Sequence, residues 1–105
     1  MAQLKVLWLK SARNELRAIR QYYKDTAGVN VGHKITHGLK VYVDILKTHP
    51  EIGQEEESLK YLKKGHRYLV KGNYKVIYRN INNAIFIIDV FDTRLNPTKL
   101  VKRNT

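Results

Sequence analysis

The sequence has no cysteine, only two prolines and one tryptophan, and few acidic residues. The lack of cysteine excludes a disulfide scaffold, a thiolate metal site and a cysteine nucleophile. No apolar run approaches the roughly 18–20 residues that a membrane-spanning helix needs, and the N-terminal segment is too short for a signal peptide. We therefore expect a cytoplasmic protein without membrane association. A length of 105 residues predicts a single domain, 1–105.

Basic residues are abundant and unevenly distributed. The chain has 20 Lys and Arg against 9 Asp and Glu, a formal net charge of +11. Residues 1–59 contain nine cations and seven anions, whereas residues 60–105 contain eleven cations and two anions. Such a surface attracts polyanions such as nucleic acid or acidic protein segments. The composition therefore permits a basic nucleic-acid-binding module, with solubility as the simpler explanation.

The N-terminal half predicts one strand and two helices. Alternating apolar residues indicate a strand at Leu4–Leu9, and Ser11 is a suitable N-cap for a first helix. A second helix is predicted from Asn30 to about Thr48, where His49-Pro50 ends it. The short link between them favours an antiparallel helical hairpin. The predicted apolar faces are Ala12, Leu16, Ile19 and Tyr23 on the first helix, and Ile35, Leu39, Tyr42 and Leu46 on the second.

The C-terminal half is dominated by strand patterns. Glu51–Ser58 predicts an exposed acidic loop. Strands at Arg67–Lys71 and Tyr74–Arg79 flank Gly72-Asn73, which suits a type II′ hairpin turn. Ala84–Phe91 is apolar on both faces, which is typical of a central, covered strand. Residues 96–105 are basic and polar, and they are compatible with a short helix, a further strand or a flexible tail.

This order of elements predicts an α+β fold of two layers. An antiparallel sheet (strand-helix-helix-strand-strand-strand) packs on the helical hairpin, which buries one face of the sheet. No helix is left to cover the opposite face, so we expect a binding groove there. On the predicted hairpin, that open face would carry Tyr68, Val70, Lys75, Ile77 and Arg79, and the core face would carry Leu69, Lys71, Tyr74, Val76 and Tyr78.

Two groups of cations are candidate binding sites. Arg13, Arg17, Arg20 and Lys24 form a stripe at helical spacing, and their mutual repulsion of a few tenths of a kcal/mol per pair would be relieved by an acidic partner. A solvated helix face is the alternative. The open face of the hairpin mixes cations with an aromatic residue, which suits phosphates and a stacked base. An ordinary half-exposed sheet face is the alternative there.

Histidines and the last arginine before the tail are the remaining candidates. His66 lies in a basic turn, where neighbouring cations favour its neutral form, and is either a general base or a turn residue. Arg94 either pairs with Asp89 or Asp92 or serves as an anion ligand. His33 and His37 are four residues apart but lack a third ligand, so we predict no metal site and no cofactor. No P-loop or HExxH motif is present.

Taken in order, several motifs resemble the RelE/ParE superfamily of toxins from type II toxin–antitoxin systems. The similarity spans nearly all of residues 4–97. The matching features are an A-x-x-x-L-x-x-I-x-x-Y helix (Ala12, Leu16, Ile19, Tyr22), Pro50-x-x-Gly53, Gly65-His66-Arg67, GNYKVIYR (Gly72–Arg79), IFIIDVF, Arg94 and Asn96-Pro97. The resemblance implies a small antiparallel sheet on a helical hairpin, and an acidic or amphipathic antitoxin as partner.

Two activities are implied by the resemblance. RelE-like members cut mRNA on the ribosome without a metal, using the RNA 2′-hydroxyl as nucleophile and basic residues to stabilise the transition state. ParE-like members poison DNA gyrase and need no nuclease centre. The chain is therefore expected to be an endoribonuclease if RelE-like and a non-enzymatic toxin if ParE-like.

Carried over residue by residue, the resemblance assigns Lys75, Arg94 and, more loosely, His66 to a RelE-like catalytic centre. The C-terminal Tyr or His of several RelE-like relatives has no counterpart, because Leu95–Thr105 contains neither residue type. Lysine at position 75 also lacks the bidentate geometry of arginine. ParE-like activity is therefore favoured. The hairpin cations Arg67, Lys71 and Arg79 are assigned to nucleic acid or target, and the stripe Arg13, Arg17, Arg20 and Lys24 to antitoxin or target.

Overall fold

The computed structural model describes residues 3–105, which form five strands, three α-helices and two 3-10 helices. In chain order these are β1 (Lys5–Trp8), α1 (Lys10–Thr26), α2 (Val29–Tyr42), a first 3-10 helix (Val43–Lys47), β2 (Gln54–Glu55), a second 3-10 helix (Glu57–Leu62), β3 (Arg67–Lys71), β4 (Tyr74–Ile81), β5 (Ala84–Asp92) and α3 (Thr98–Arg103).

The strands form one sheet in the order β1-β5-β4-β3-β2, and the helical hairpin of α1 and α2 packs on one face. The predicted α+β fold is therefore confirmed. The sheet is mixed, because β1 runs parallel to β5, while the other neighbours are antiparallel. The parallel pair arises because the chain crosses over through both helices between β1 and the later strands. As predicted, β5 is an interior strand.

The first helix buries its predicted face. Ala12, Leu16 and Ile19 are buried against the sheet, and Tyr23 packs at the edge of the same core. Ser11 was predicted to cap this helix, and that prediction is wrong. Leu9 occupies the N-cap position, and the Ser11 hydroxyl donates instead to the carbonyl oxygen of Ile88 at 2.7 Å.

The second helix is shorter than predicted. It begins after Gly28 rather than at Asn30, and it passes into the first 3-10 helix after Tyr42, which is 38% exposed rather than buried. The predicted Leu39 and Leu46 are both in the core. Gly32 lies at the crossing with α1, since a Cβ there would stand 2.7 Å from the carbonyl oxygen of Arg20. The hairpin is therefore tightly packed at one point.

The acidic segment is not the exposed loop that the sequence predicts. Gln54 and Glu55 pair with β3, and Glu56 is only 5% exposed. Because the second 3-10 helix follows directly, Leu59 is placed beneath the sheet. A two-residue strand is too short for any periodicity, so the local pattern does not reveal it.

The sheet face opposite the helical hairpin is partly covered, which corrects the prediction of an open face. Leu59 and Leu100 pack there against Ile77 and Phe91 in a second, smaller core cluster. Leu100 belongs to α3, the short helix formed within residues 96–105. Both covering helices are too short to show a clear apolar face in the sequence.

The β3–β4 hairpin has the predicted register, with Lys71 opposite Tyr74 and Leu69 opposite Val76. Gly72 has a φ of 59°, as the first central residue of a type II′ turn requires. The β4–β5 pairing contains a bulge, because Ile88 has no partner between the pairs formed by Ile77 and Tyr78. No helix in residues 3–105 is long and apolar enough to cross a membrane.

Candidate functional site

Lys75, a predicted catalytic cation, is held in an ion pair by a buried carboxylate. Its Nζ lies 2.7 Å from Glu56 Oε1 and 4.3 Å from the centroid of the Tyr68 ring. The amide and hydroxyl of Ser58 donate to Glu56 Oε2 at 3.2 and 2.7 Å. Burial disfavours the charge of Glu56, but the bonds from Lys75 and Ser58 outweigh burial and lower its pKa. Lys75 is thus engaged within the fold.

His66 is buried close to the same carboxylate. His66 is 7% exposed, and its carbonyl oxygen accepts a hydrogen bond from the amide of Glu56 at 2.9 Å. Burial, followed by the charges of Arg79 and Lys64, lowers the pKa of His66, which confirms the expected preference for the neutral ring. Nδ1 is buried without a hydrogen-bond partner among the described residues, so protonation of this nitrogen would place an unpaired donor in the interior.

Arg94 pairs with Asp92, which is one of the alternatives that the sequence left open. Its Nε and Nη2 donate to the two oxygens of Asp92 at 3.0 and 2.8 Å, and these bonds hold the pKa of Asp92 below its ordinary value. Arg94 lines a cavity of about 380 Å³ with Tyr22 and Tyr74, on the α1 side of the sheet. Asp89 pairs instead with Arg103 of α3.

The three residues assigned to a RelE-like centre therefore do not form one site. Lys75 and His66 both neighbour Glu56, whereas Arg94 lies against Tyr74 and Asp92 in a separate cavity. Across the part of the chain that the structure describes, no group of three or more His, Cys, Asp or Glu side chains could hold a metal ion.

The three candidate cations of the β3–β4 hairpin differ in their contacts. Arg67 donates to the carbonyl oxygen of Gly53 at 2.7 Å, and Arg79 donates to that of Lys64 at 2.8 Å. Lys71 is exposed at the edge of the helical layer, with Nζ 5.4 Å from the centroid of the Tyr42 ring. Two of these three cations thus tie loops to the sheet, and Lys71 is the most accessible to a partner.

Four cationic residues of α1 lie in a row on one side of the helix, which we call the α1 stripe (Arg13, Arg17, Arg20 and Lys24). Arg20 is half-buried and the others are exposed. Arg17 donates to the amide oxygen of Asn14 at 3.0 Å. Within residues 3–105, no carboxylate forms a salt bridge with any member of the stripe, so its positive charge is not neutralised by the fold.

An apolar groove of about 800 Å³ lies between α2 and the turn of the β3–β4 hairpin. Ile35, Leu39 and Tyr74 contribute to its walls, and Lys34 and Lys71 also line it. We call it the α2–hairpin groove. The sequence analysis missed it, because its two sides are about 35 residues apart in the chain. The only available signal was the exposed aromatic and aliphatic residues of α2.

The sequence analysis also missed two ion pairs that involve buried carboxylates, those of Glu56 and Asp89. Glu56 is one of three consecutive glutamates, and its neighbours Glu55 and Glu57 are exposed, so composition does not distinguish it. Arg103 bonds to the buried carboxylate of Asp89 and lies 3.6 Å from Glu15 on α1. Both ion pairs join residues that are distant in sequence.

The fold and these sites define a small basic α+β domain in which Lys75 and His66 neighbour Glu56 and Arg94 lies in a separate cavity. A family model described as the ParE toxin of the type II toxin–antitoxin system parDE matches residues 6–97. The chain therefore belongs to the ParE toxin family and is of the toxin class. This finding confirms the resemblance and the preference for a ParE-like member.

A solved structure has a similar fold. The structure described as the chromosomal ParDE TA system from P. aeruginosa superposes with a TM-score of 0.72 and 19% sequence identity. The match covers 86% of this chain and 96% of that chain. No curated protein sequence matches the chain.

Proposed function

We propose that this ParE-family toxin acts on DNA gyrase and does not cut RNA. The proposal rests on the separation of the three candidate catalytic residues: Lys75 is paired with Glu56, Arg94 with Asp92, and His66 is buried. Metal-independent cleavage of RNA needs preorganised, free cations aimed at the charge that develops on the phosphate. Gyrase is the target that the family resemblance implies.

A supercoiling assay with purified gyrase tests this proposal. We expect micromolar toxin to reduce supercoiling, and we expect no effect on relaxation by a type I topoisomerase, which serves as the matched control. Primer extension on an mRNA under translation is the second arm, and no new 5′ ends are expected. Unchanged supercoiling together with new 5′ ends would replace the proposal with a RelE-like activity.

We also propose that the antitoxin inserts an amphipathic, acidic segment into the α2–hairpin groove. The walls offer apolar surface for two or three anchoring side chains. Lys34 and Lys71 line the groove, where they can pair with flanking carboxylates. A groove of about 800 Å³ is within the size range of ligand sites in proteins, which is roughly 300–1,000 Å³.

A model peptide tests the groove without knowledge of the antitoxin sequence. The probe is a helical peptide of about 20 residues, with leucines at i, i+4 and i+7 and glutamates beside them. We expect Val41→Glu, which places a charge in the groove, to weaken binding at least tenfold. Val31→Glu on the same helix is the control and should bind as the wild type does. Equal binding by both variants would place the peptide elsewhere.

A further inference from the structure

The α1 stripe extends beyond the residues that the sequence analysis selected. Lys10 lies three residues before Arg13, so that five cations recur at spacings of three, four, three and four on one side of the 17-residue α1. At about 1.5 Å per residue, Lys10 and Lys24 are about 21 Å apart along the helix axis. Among residues 3–105, none of the five forms a salt bridge.

The crossing of the two helices adds depth to one end of the stripe. Gly32 allows α2 to approach the backbone of Arg20, and this approach brings His33 beside the stripe. Arg17, Arg20, Lys24 and His33 line a cavity of about 260 Å³ to which no acidic residue of the described chain contributes. The cavity is therefore a positively charged recess at one end of the stripe.

The surroundings of the stripe are suited to phosphate groups rather than to a protein. Its polar neighbours are Asn14 and Gln21, of which Gln21 donates to Asp25 at 3.0 Å, and Val29 is the one large apolar residue lining the cavity. Protein interfaces depend on buried apolar and aromatic anchors, and those lie elsewhere, in the α2–hairpin groove. An acidic protein segment would find charge here but little apolar surface.

Aromatic side chains are also absent from this side of α1. Its two tyrosines are Tyr23, which packs on the core, and Tyr22, which lines the cavity next to Arg94. Single-stranded nucleic acid is bound mainly by stacking bases on aromatic rings, whereas a duplex presents regularly spaced phosphates, one per strand for about every 3.4 Å of helix axis. A regularly spaced row of cations without aromatic rings therefore fits a duplex.

We propose that Lys10 and the α1 stripe bind the phosphate backbone of duplex DNA without sequence preference. The cavity in the stripe shares no lining residue with the α2–hairpin groove. The proposal is independent of gyrase, because it concerns direct contact between this chain and DNA. A toxin that does not inhibit gyrase would still show it.

Fluorescence anisotropy with a labelled 20-base-pair duplex of arbitrary sequence tests the proposal. The stripe variant is Arg17→Gln/Arg20→Gln/Lys24→Gln, and glutamine preserves helix propensity. The control is Lys5→Gln/Lys99→Gln/Lys102→Gln, which removes the same charge from exposed sites outside the stripe. Circular dichroism confirms that both variants are folded. We expect the stripe variant to bind at least tenfold more weakly at 50 mM salt and the control to bind within about threefold of wild type.

The salt dependence supplies a second readout. Each phosphate contact contributes about 0.9 to the slope of log K against log salt, so the loss of three contacts should reduce the slope by about 2.7. Equal weakening by both variants would overturn the proposal in favour of general charge attraction. Tighter binding of the labelled single strand, or of poly-glutamate at equal charge concentration, would overturn it in favour of that ligand. Absence of duplex binding at micromolar protein and 50 mM salt would also overturn it.

Discussion

The hydroxyl of Tyr78, at the centre of β4, accepts a hydrogen bond from the amide of Gly53 at 2.9 Å. The same hydroxyl donates to the carbonyl oxygen of Pro50 at 2.9 Å, and burial raises the pKa of Tyr78, which keeps the hydroxyl protonated. One fully buried side chain thus fixes both ends of the Pro50-x-x-Gly53 segment. This contact gives a physical reason for the presence of both that motif and Tyr78, the second tyrosine of GNYKVIYR, in the sequence.

Gly53 should not tolerate a side chain. A Cβ at this position would stand 2.5 Å from the Tyr78 hydroxyl and 2.7 Å from the carbonyl oxygen of Tyr68. We expect Gly53→Ala to lower the free energy of unfolding by about 2–3 kcal/mol, because the loop must move and the buried bond is lost. Urea denaturation measures the change.

Gly38→Ala is the matched control for that substitution. Its Cβ would meet only the end of the Lys71 side chain, at 3.4 Å, and alanine is favoured over glycine within a helix by about 1 kcal/mol. We therefore expect Gly38→Ala to be neutral or stabilising. Similar losses in both variants would show that the close contact with Tyr78 does not restrict Gly53.

Lys75 should contribute to stability rather than to catalysis. Lys75→Met removes the partner of the buried Glu56 carboxylate, and we expect the free energy of unfolding to fall by about 2 kcal/mol, less than for a fully buried pair because Lys75 is partly exposed. Lys71→Met, on the exposed end of the neighbouring strand, should change it by no more than about 0.5 kcal/mol. Urea denaturation of both variants measures these changes in the free energy of unfolding, and equal effects would contradict the role of the ion pair.

His66 should make the fold sensitive to mild acid. Because its pKa in the folded chain lies below the ordinary value of about 6.5, the unfolded chain binds the proton first as the pH falls. The contribution of neutral His66 to the free energy of unfolding is therefore fully present above about pH 6.5. It decreases by up to about 1.4 kcal/mol per pH unit as the pH falls towards the folded-state pKa. The lowered pKa of Glu56 affects stability only at more acidic pH, since its contribution is present above about 4.5.

Thermal unfolding between pH 7.5 and 5.0 measures this effect. We expect His66→Phe, which cannot take up a proton, to flatten the pH dependence relative to wild type, whatever its effect at pH 7.5. His37→Gln, at an exposed position on α2, should keep the wild-type pH profile. A His66→Phe profile parallel to that of wild type would rule out His66 as the acid-sensitive group.

Arg103 should anchor the C-terminal helix. It bonds to Asp89, whose side chain is 4% exposed, and Asn104 donates to the other Asp89 oxygen at 3.0 Å. We expect Arg103→Met to lower the free energy of unfolding by about 2–3 kcal/mol, because a buried carboxylate loses its cation. Lys102→Met, one residue earlier and exposed, is the control and should have little effect. Faster amide hydrogen exchange in α3 of the Arg103 variant alone would locate the loss.

The sequence predicts those parts of the fold that depend on local patterns. The buried face of α1 follows from its helical periodicity, and the register of the β3–β4 hairpin follows from Gly72-Asn73 and the alternation on either side. Both depend on neighbours within a few residues. The assignment to the ParE family confirms that the order of such local motifs also identifies the class of protein.

Charge partners are the part that the sequence alone does not predict. Glu56 and Lys75 are 19 residues apart, and they meet because β2 joins the sheet and the second 3-10 helix folds beneath it. Neither element is long enough to show a period. The sequence therefore did not indicate which candidate cations the fold pairs, since a cation in a sequence gives no sign of the carboxylate that will neutralise it.

The unpaired Ile88 in β5 also has a consequence for how this chain tolerates change in length. Before it, Ile85 and Ile87 face the helical hairpin, and after it Val90 does so, which leaves Asp89 and Phe91 to α3. Deletion of Ile88 itself would leave Ile87 and Val90 facing the helical hairpin and Asp89 facing α3, because these residues already alternate once the unpaired residue is left out. Ile88 is therefore the position at which β5 can lose one residue without exchanging its two faces, whereas the loss of a residue from a paired position must be compensated by loss of the bulge.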